Sequence, residues 1–170
     1  MKAYNLIWFE HLVGDIDEPL HGSVRYNEGG GDTGGNHVKI KMPVAMGEKC
    51  KCPPSKSTLR ELHAFSKDLP GSCPADAALT PALAFAKKLP MLLTNPNSRG
   101  TDNVSDTDPM NWASDSLALA EKDAYAASIG EGLQSEDGTN GFVVSQGYYD
   151  QAMTDEKSQI ALAGRGSRNC

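Results

Sequence analysis

His11, Asp15 and His21 are the residues whose types and spacing could do chemistry together. On a helix His11 and Asp15 stand four residues apart, so imidazole and carboxylate leave from one face. Pro19 breaks that helix, and the turn that follows can bring His21 back toward the same point. Two imidazoles and a carboxylate converging from a helix and its exit turn suit a hard-to-borderline divalent cation, zinc first. The same spacing also fits a plainer arrangement, a surface His–Asp pair followed by a turn histidine.

The elements that must position these groups are mostly helical. Residues from about Ala3 to Asp15 carry Leu6, Ile7, Trp8, Leu12 and Val13 and read as a largely buried helix. Gly29–Gly35 reads as a flexible loop, and His37–Lys41 alternates like a short strand. Thr58-Leu59-Arg60-Glu61 fits a capping box, so a second helix is predicted from Thr58, stopping at Pro70-Gly71. Ala77–Leu89 reads as an Ala-rich third helix. Asn95–Pro109 reads as a polar loop. Trp112–Ile129 is the longest helical pattern, with Trp112, Leu119 and Ala120 on one stripe. A last helix is predicted over Tyr148–Ala163, frayed by Gly164-Arg165-Gly166.

A chain of 170 residues supports one ordinary domain. It contains 17 Gly and 10 Pro, and no apolar run approaches the ~18 residues of a membrane span. With 16 Lys and Arg against 22 Asp and Glu, the net charge is −6. Such a surface repels a phosphate backbone, so a phosphate ligand would need a local source of positive charge, such as a metal.

Val13-Gly14-Asp15-Ile16-Asp17-Glu18-Pro19-Leu20-His21, followed by Gly31-Asp32-Thr33-Gly34-Gly35-Asn36, resembles the S1/P1 nuclease family, in the form of its protist 3′-nucleotidase/nuclease branch. Leu62-His63-Ala64-Phe65 is similar to the family's Leu-His-x-x-Trp-Asp. Trp112-Ala113-Ser114-Asp115-Ser116 with Tyr125 resembles its Trp-x-x-Glu-Ser…Tyr helix, and Tyr148-Tyr149 with Gln159–Gly164 its closing helix. The matches are collinear from residue 6 to about 164. The zinc-dependent phospholipases C share the helical plan, but the Gly-Gly-Asn block and the Trp112 helix favour the nuclease side.

The resemblance implies a mainly α, phospholipase C/P1 nuclease-like helical fold. It also implies a hydrolase that uses three zinc ions to cut single-stranded DNA and RNA to 5′-nucleotides, in many members with 3′-nucleotidase activity. By motif position, His11 and Asp15 would ligate a first zinc, with Asp15 reaching a third and serving as the catalytic carboxylate. His21 and His63 would ligate a second. Lys67 stands at that zinc's remaining ligand position and Asp68 comes one residue late, pointing about 140° away on a regular helix. Asp68 serves only if a π-bulge or an early helix end re-aims it. Asn36 reads as a turn residue tolerating a left-handed backbone, placed to contact the scissile phosphate. Asp17 and His37 read as surface residues.

The family's opening ligands, an N-terminal Trp and further His and Asp residues, have no counterparts in this sequence. Residues 1–164 are therefore expected to form a partial nuclease domain lacking its N-terminal portion, with 165–170 as a frayed tail and one to two zinc ions held. The alternative is a non-catalytic truncated remnant with a residual structural zinc site. The resemblance also implies a secreted or endomembrane monomer, although Met1–Phe9 does not read as a signal peptide. Asn103-Val104-Ser105 is a glycosylation sequon. Cys50 or Cys52 with Cys73 is a plausible bridge, among the three full pairings that four cysteines allow.

Overall fold

The computed structural model describes residues 3–27, 30–41, 59–69, 108–129 and 141–169. The expectations for Asn103, for Cys50, Cys52, Cys73 and Cys170, and for a helix over Ala77–Leu89 lie outside these residues. The fold is mainly helical, as expected. Four α-helices run in chain order: α1 (Ala3–Asp17), α2 (Leu62–Asp68), α3 (Pro109–Leu119) and α4 (Gln146–Asn169). Helix α1 packs against both α3 and α4.

Two small sheets hold the turns between helices. Strands β1 (Tyr26–Asn27) and β2 (Gly30–Gly31) form an antiparallel pair, so Gly30 and Gly31, expected to lie in a flexible loop, are paired in a strand before a tight turn. The second sheet has the order β4 (Leu59–Glu61), β3 (Lys39–Lys41), β5 (Phe142–Val143). Strand β3 pairs antiparallel with β4, Ile40 opposite Arg60, and parallel with β5, Ile40 opposite Phe142. A Cβ on Gly141 would come within 2.7 Å of the Ile40 backbone, so only glycine lets β5 approach this closely.

The apolar core joins the sheet to α2 and α4. Leu20, Val38, Ile40, Leu62, Phe65, Ile129 and Val144 are buried in one cluster with Tyr148 and Tyr149. The Phe65 ring lies 6.0 Å from that of Tyr148 and 6.3 Å from that of Tyr149. The Tyr148 hydroxyl donates to the Ala124 carbonyl at 2.7 Å, which satisfies its polar end inside the core.

Four expectations are corrected. The second helix begins later than expected: Leu59–Glu61 is a strand and α2 begins at Leu62. The Glu61 carboxylate that a capping box requires is taken instead by Lys39 Nζ at 2.7 Å across the sheet, and Glu61 caps α2 with no side-chain bond. The Trp112–Ile129 pattern is not one helix. It is α3, capped by Asp108, then a π-turn over Ala120–Ala124 closed by Tyr125 N to Ala120 O at 2.8 Å, then a 3₁₀ turn over Ala127–Ile129. The wider turn sets the Tyr125 ring 4.8 Å beneath the Arg25 guanidinium.

Helix α4 is longer than expected and continues through Gly164 and Gly166 to Asn169. Each glycine costs about 1 kcal/mol in a helix interior, which does not stop a helix packed along α1. Finally, α1 is not largely buried. Val13 is buried, but Trp8 is 49 % and Leu12 54 % exposed, because α3 and α4 cover one side of the helix and leave the other open.

Candidate functional site

The last two turns of α1 and its exit turn form the site. Glu18 N bonds Asp15 O at 3.4 Å and His21 N bonds Glu18 O at 3.1 Å, so the chain doubles back after Asp17. Pro19 and Leu20 are buried under this turn, and Ser23 Oγ donates to Pro19 O at 2.7 Å. His21 is thereby returned to Asp15, as the spacing predicts. Asp15 stands between two imidazoles: its Oδ2 is 3.5 Å from His11 Nε2 and its Oδ1 is 3.1 Å from His21 Nδ1.

His63 arrives from the first turn of α2. Its ring lies 5.1 Å from that of His21 with the planes inclined by 26°. His63 Nδ1 is 3.0 Å from the Gly34 carbonyl. A carbonyl accepts, so Nδ1 carries a proton. Asp15, His21, Ser23, Thr33, Gly34 and His63 line an open cleft.

The turn that supplies Gly34 is built for close approach. Thr33, Gly34 and Gly35 have φ of 54°, 62° and 80°. A Cβ on Gly34 would run into the Leu20 carbonyl, so the glycine is needed for both its backbone angle and its contact. The left-handed residues are therefore the three before Asn36 and not Asn36 itself, which corrects that expectation. The Asn36 amide donates to Thr33 O at 2.8 Å and helps close the turn. Asp32, fully buried, accepts from Arg25 N at 3.0 Å and ties the turn to the hairpin. His37 is exposed, as expected.

Asp68 is not beside this group. Its Oδ2 is 2.9 Å from Arg60 Nη1, and α2 ends at Asp68 itself. Lys67 is exposed at its own position. The structure therefore gathers His11, Asp15, His21 and His63 in one run and leaves Asp68 on Arg60.

Tetrahedral zinc with bonds of 2.0–2.1 Å sets neighbouring donors about 3.3 Å apart. The His11–Asp15 and Asp15–His21 pairs have such separations. His21 and His63, however, present ring faces to each other. Among the described residues, no three of His, Cys, Asp and Glu gather closely enough to hold a metal ion. These residues make pairs of donors and do not by themselves fit a zinc ion.

Asp17, read from the sequence as a surface residue, is 6 % exposed. It ends α1 beneath α4, where Gln159 Nε2 donates to its carbonyl at 2.9 Å and, at 3.4 Å, to Ser116 Oγ. Ser116 Oγ in turn donates to Ile16 O at 2.7 Å. Burial, with Asp115 nearby, pushes the Asp17 carboxyl up to about 7. Sequence reasoning also missed Glu18, whose Oε2 is 3.8 Å from His21 Nε2; its place three residues before His21 was the available signal.

Ser66 Oγ lies 2.7 Å from Glu18 Oε1 and 2.6 Å from Glu156 Oε1. One hydroxyl proton serves one of these carboxylates, so the second short contact needs a proton on a carboxyl group. Burial pushes Glu156 up to about 7 against the Ser66 hydrogen bond, with Glu18 and Asp155 adding to the rise.

The family model described as S1/P1 Nuclease matches residues 1–165. Comparison with the curated proteins and with the solved structures returned no match.

Proposed function

The chain belongs to the S1/P1 nuclease family, and from that membership we propose that it is a zinc-dependent hydrolase of single-stranded DNA and RNA that releases 5′-nucleotides. A nuclease or phosphodiesterase function follows from the family in general. The observation that supports the specific reading is the Asp15 carboxylate lying between His11 and His21, with His63 stacked on His21 at the mouth of an open cleft. Such a cluster binds cations and moves protons, and phosphodiester hydrolysis in an acidic protein calls for both.

In this reading Asp15 orients both neighbouring imidazoles, and the Gly34 carbonyl holds His63 in the lining of the cleft. By the family resemblance His11, Asp15, His21 and His63 would be metal ligands, and Asp68, held by Arg60, would join them only if that pair opened. Zinc, if bound, would supply the positive charge that attracts phosphate. The donor pairs need further ligands from outside the described residues. Asn36 is the substrate contact, and 3′-phosphate removal belongs to the same proposal. The chain works as a secreted or endomembrane monomer with Asn103 glycosylated. No helix among the described residues is long and apolar enough to cross a membrane.

The test is nucleotide release from single-stranded DNA with zinc supplied, with and without a chelator, beside the zinc content of the purified chain. Release that the chelator abolishes and zinc restores is expected. No release with zinc present overturns the reading. A second reading, a non-catalytic remnant with a structural zinc, is favoured by the absence of any three-donor group among the described residues. One zinc or none, with no hydrolysis, would establish it.

A further inference from the structure

The turn between Asp32 and His37 holds His63 at two points. Gly35 O accepts from His63 N at 3.4 Å, and Gly34 O accepts from its Nδ1 at 3.0 Å. Backbone and ring are thus bonded to successive carbonyls of one turn, which fixes the direction of the imidazole. The turn carries strain. Thr33 has φ of 54°, in a region that a β-branched residue rarely adopts. Such a conformation persists only where its surroundings impose it, and it recurs at functional sites.

Asp32, the residue before Thr33, is fully buried and bonded at three points. Its N donates to Arg25 O, its Oδ1 accepts from Arg25 N and its O accepts from His37 N, each at 3.0 Å. The other carboxylate oxygen, Oδ2, lies 4.0 Å from Arg25 Nε. A carboxylate buried to this extent is costly unless a charge offsets it, and Arg25 supplies that charge. Arg25 is held in turn by Tyr125, whose ring centroid lies 4.8 Å from its guanidinium. Tyr125 closes the π-turn after α3, a kind of turn that is frequent at functional sites. Burial, then the Asp32 carboxylate, push the Tyr125 phenol above its ordinary range, so the ring stays neutral beneath the cation. We propose that Asp32 is a positioning residue for His63: clamped by Arg25 over Tyr125, it fixes the Gly34 carbonyl and so commits the proton of the neutral imidazole to Nδ1. That leaves Nε2 as the nitrogen for a ligand or a transferred proton. The purpose of this arrangement rests on the hydrolase reading above; the arrangement itself does not.

The test is the tautomer of His63 in the full chain without added metal. It is read from two-bond proton–nitrogen correlation of the ring at a pH above the ordinary imidazole range. Loss of one set of ring signals in H63Q assigns them. Wild type is expected in the Nδ1–H form. Asp32→Asn keeps the side-chain shape and removes the charge that Arg25 clamps. Arg25→Met removes the clamp, and Arg25→Lys keeps its charge. D32N and R25M are expected to move His63 mainly to the Nε2–H form, and R25K to keep the wild-type form, with unchanged circular dichroism. Gln159→Ala weakens the packing of α1 on α4, away from the turn, and is expected to leave the tautomer as it is. A role in stability alone would lower Tm in these variants and leave the tautomer unmoved. His63 in the Nε2–H form in wild type, or in the Nδ1–H form in both D32N and R25M, overturns the proposal. So does a shift in Q159A as large as that in R25M. Should D32N not fold, R25M decides: a shifted tautomer supports the proposal and a wild-type one overturns it. Failure of the wild-type chain to release nucleotides overturns the hydrolase reading alone, because the tautomer is read without turnover.

Discussion

The imidazoles of His21 and His63 stack with centroids 5.1 Å apart, although one comes from the turn after α1 and the other from α2. Each ring is held by its own Nδ1: His21 by the Asp15 carboxylate at 3.1 Å, His63 by the Gly34 carbonyl at 3.0 Å. The stack depends on one ion-pair contact, one hydrogen bond and the approach of the Gly34 turn to Leu20.

Asp15→Asn keeps the side-chain shape and removes the charge between His11 and His21. Nucleotide release from single-stranded DNA is expected to fall by about 10²-fold or more. The melting curve should barely change, since the Asp15 side chain is 41 % exposed. Initial rates with zinc supplied are the check, and a wild-type rate would remove Asp15 from the site.

Gly34→Ala adds a methyl group where φ is 62° and the Leu20 carbonyl is in the way. Backbone strain and the overpacked contact each cost about 1–3 kcal/mol, so a loss of roughly 2–6 kcal/mol is expected in urea unfolding. A loss below about 0.5 kcal/mol would mean that the turn can be rebuilt without harm.

Gln159→Ala deletes the amide that bonds the Asp17 carbonyl at the meeting of α1, α3 and α4. An unsatisfied buried carbonyl costs about 1–3 kcal/mol, and the space left behind adds to that. The expected loss is about 2–4 kcal/mol in the same assay. Gln159→Glu is expected to be no better, because it replaces the donor with a buried acceptor.

Stability should fall as pH rises from about 4.5 to about 7. Below that window Glu156 is protonated in the folded and unfolded chain alike. Within it the folded chain keeps the proton and the unfolded chain gives it up, so each step upward favours unfolding. The whole effect is at most about 3 kcal/mol. Glu156→Gln should flatten the profile in part, leaving the slope from Asp17, which is pushed up to about 7 with the same sign. A wild-type profile that rises over this window would contradict the shared proton at Ser66.

The sequence was most legible where one element carries its own geometry. The four-residue spacing of His11 and Asp15, the break at Pro19 and the return of His21 follow from helix periodicity and proline stereochemistry alone. It was least legible where a partner distant in sequence decides the outcome. Glu61 could cap a helix, but Lys39 takes its carboxylate across the sheet. Asp17 looks like a solvated carboxylate until α4, more than a hundred residues later, covers it. The π-turn at Ala120 likewise follows from no local pattern; it coincides with Tyr125 lying under Arg25.

The turn at Gly34 has a consequence for engineering. One peptide unit bears on the exit of α1 through Leu20 and on α2 through His63, so the histidine cluster cannot be moved piecemeal. A graft of His11, Asp15 and His21 onto another helical scaffold would arrive without the strut that orients the third imidazole. The smallest transplantable cassette runs from α1 through the glycine turn and includes α2 with it.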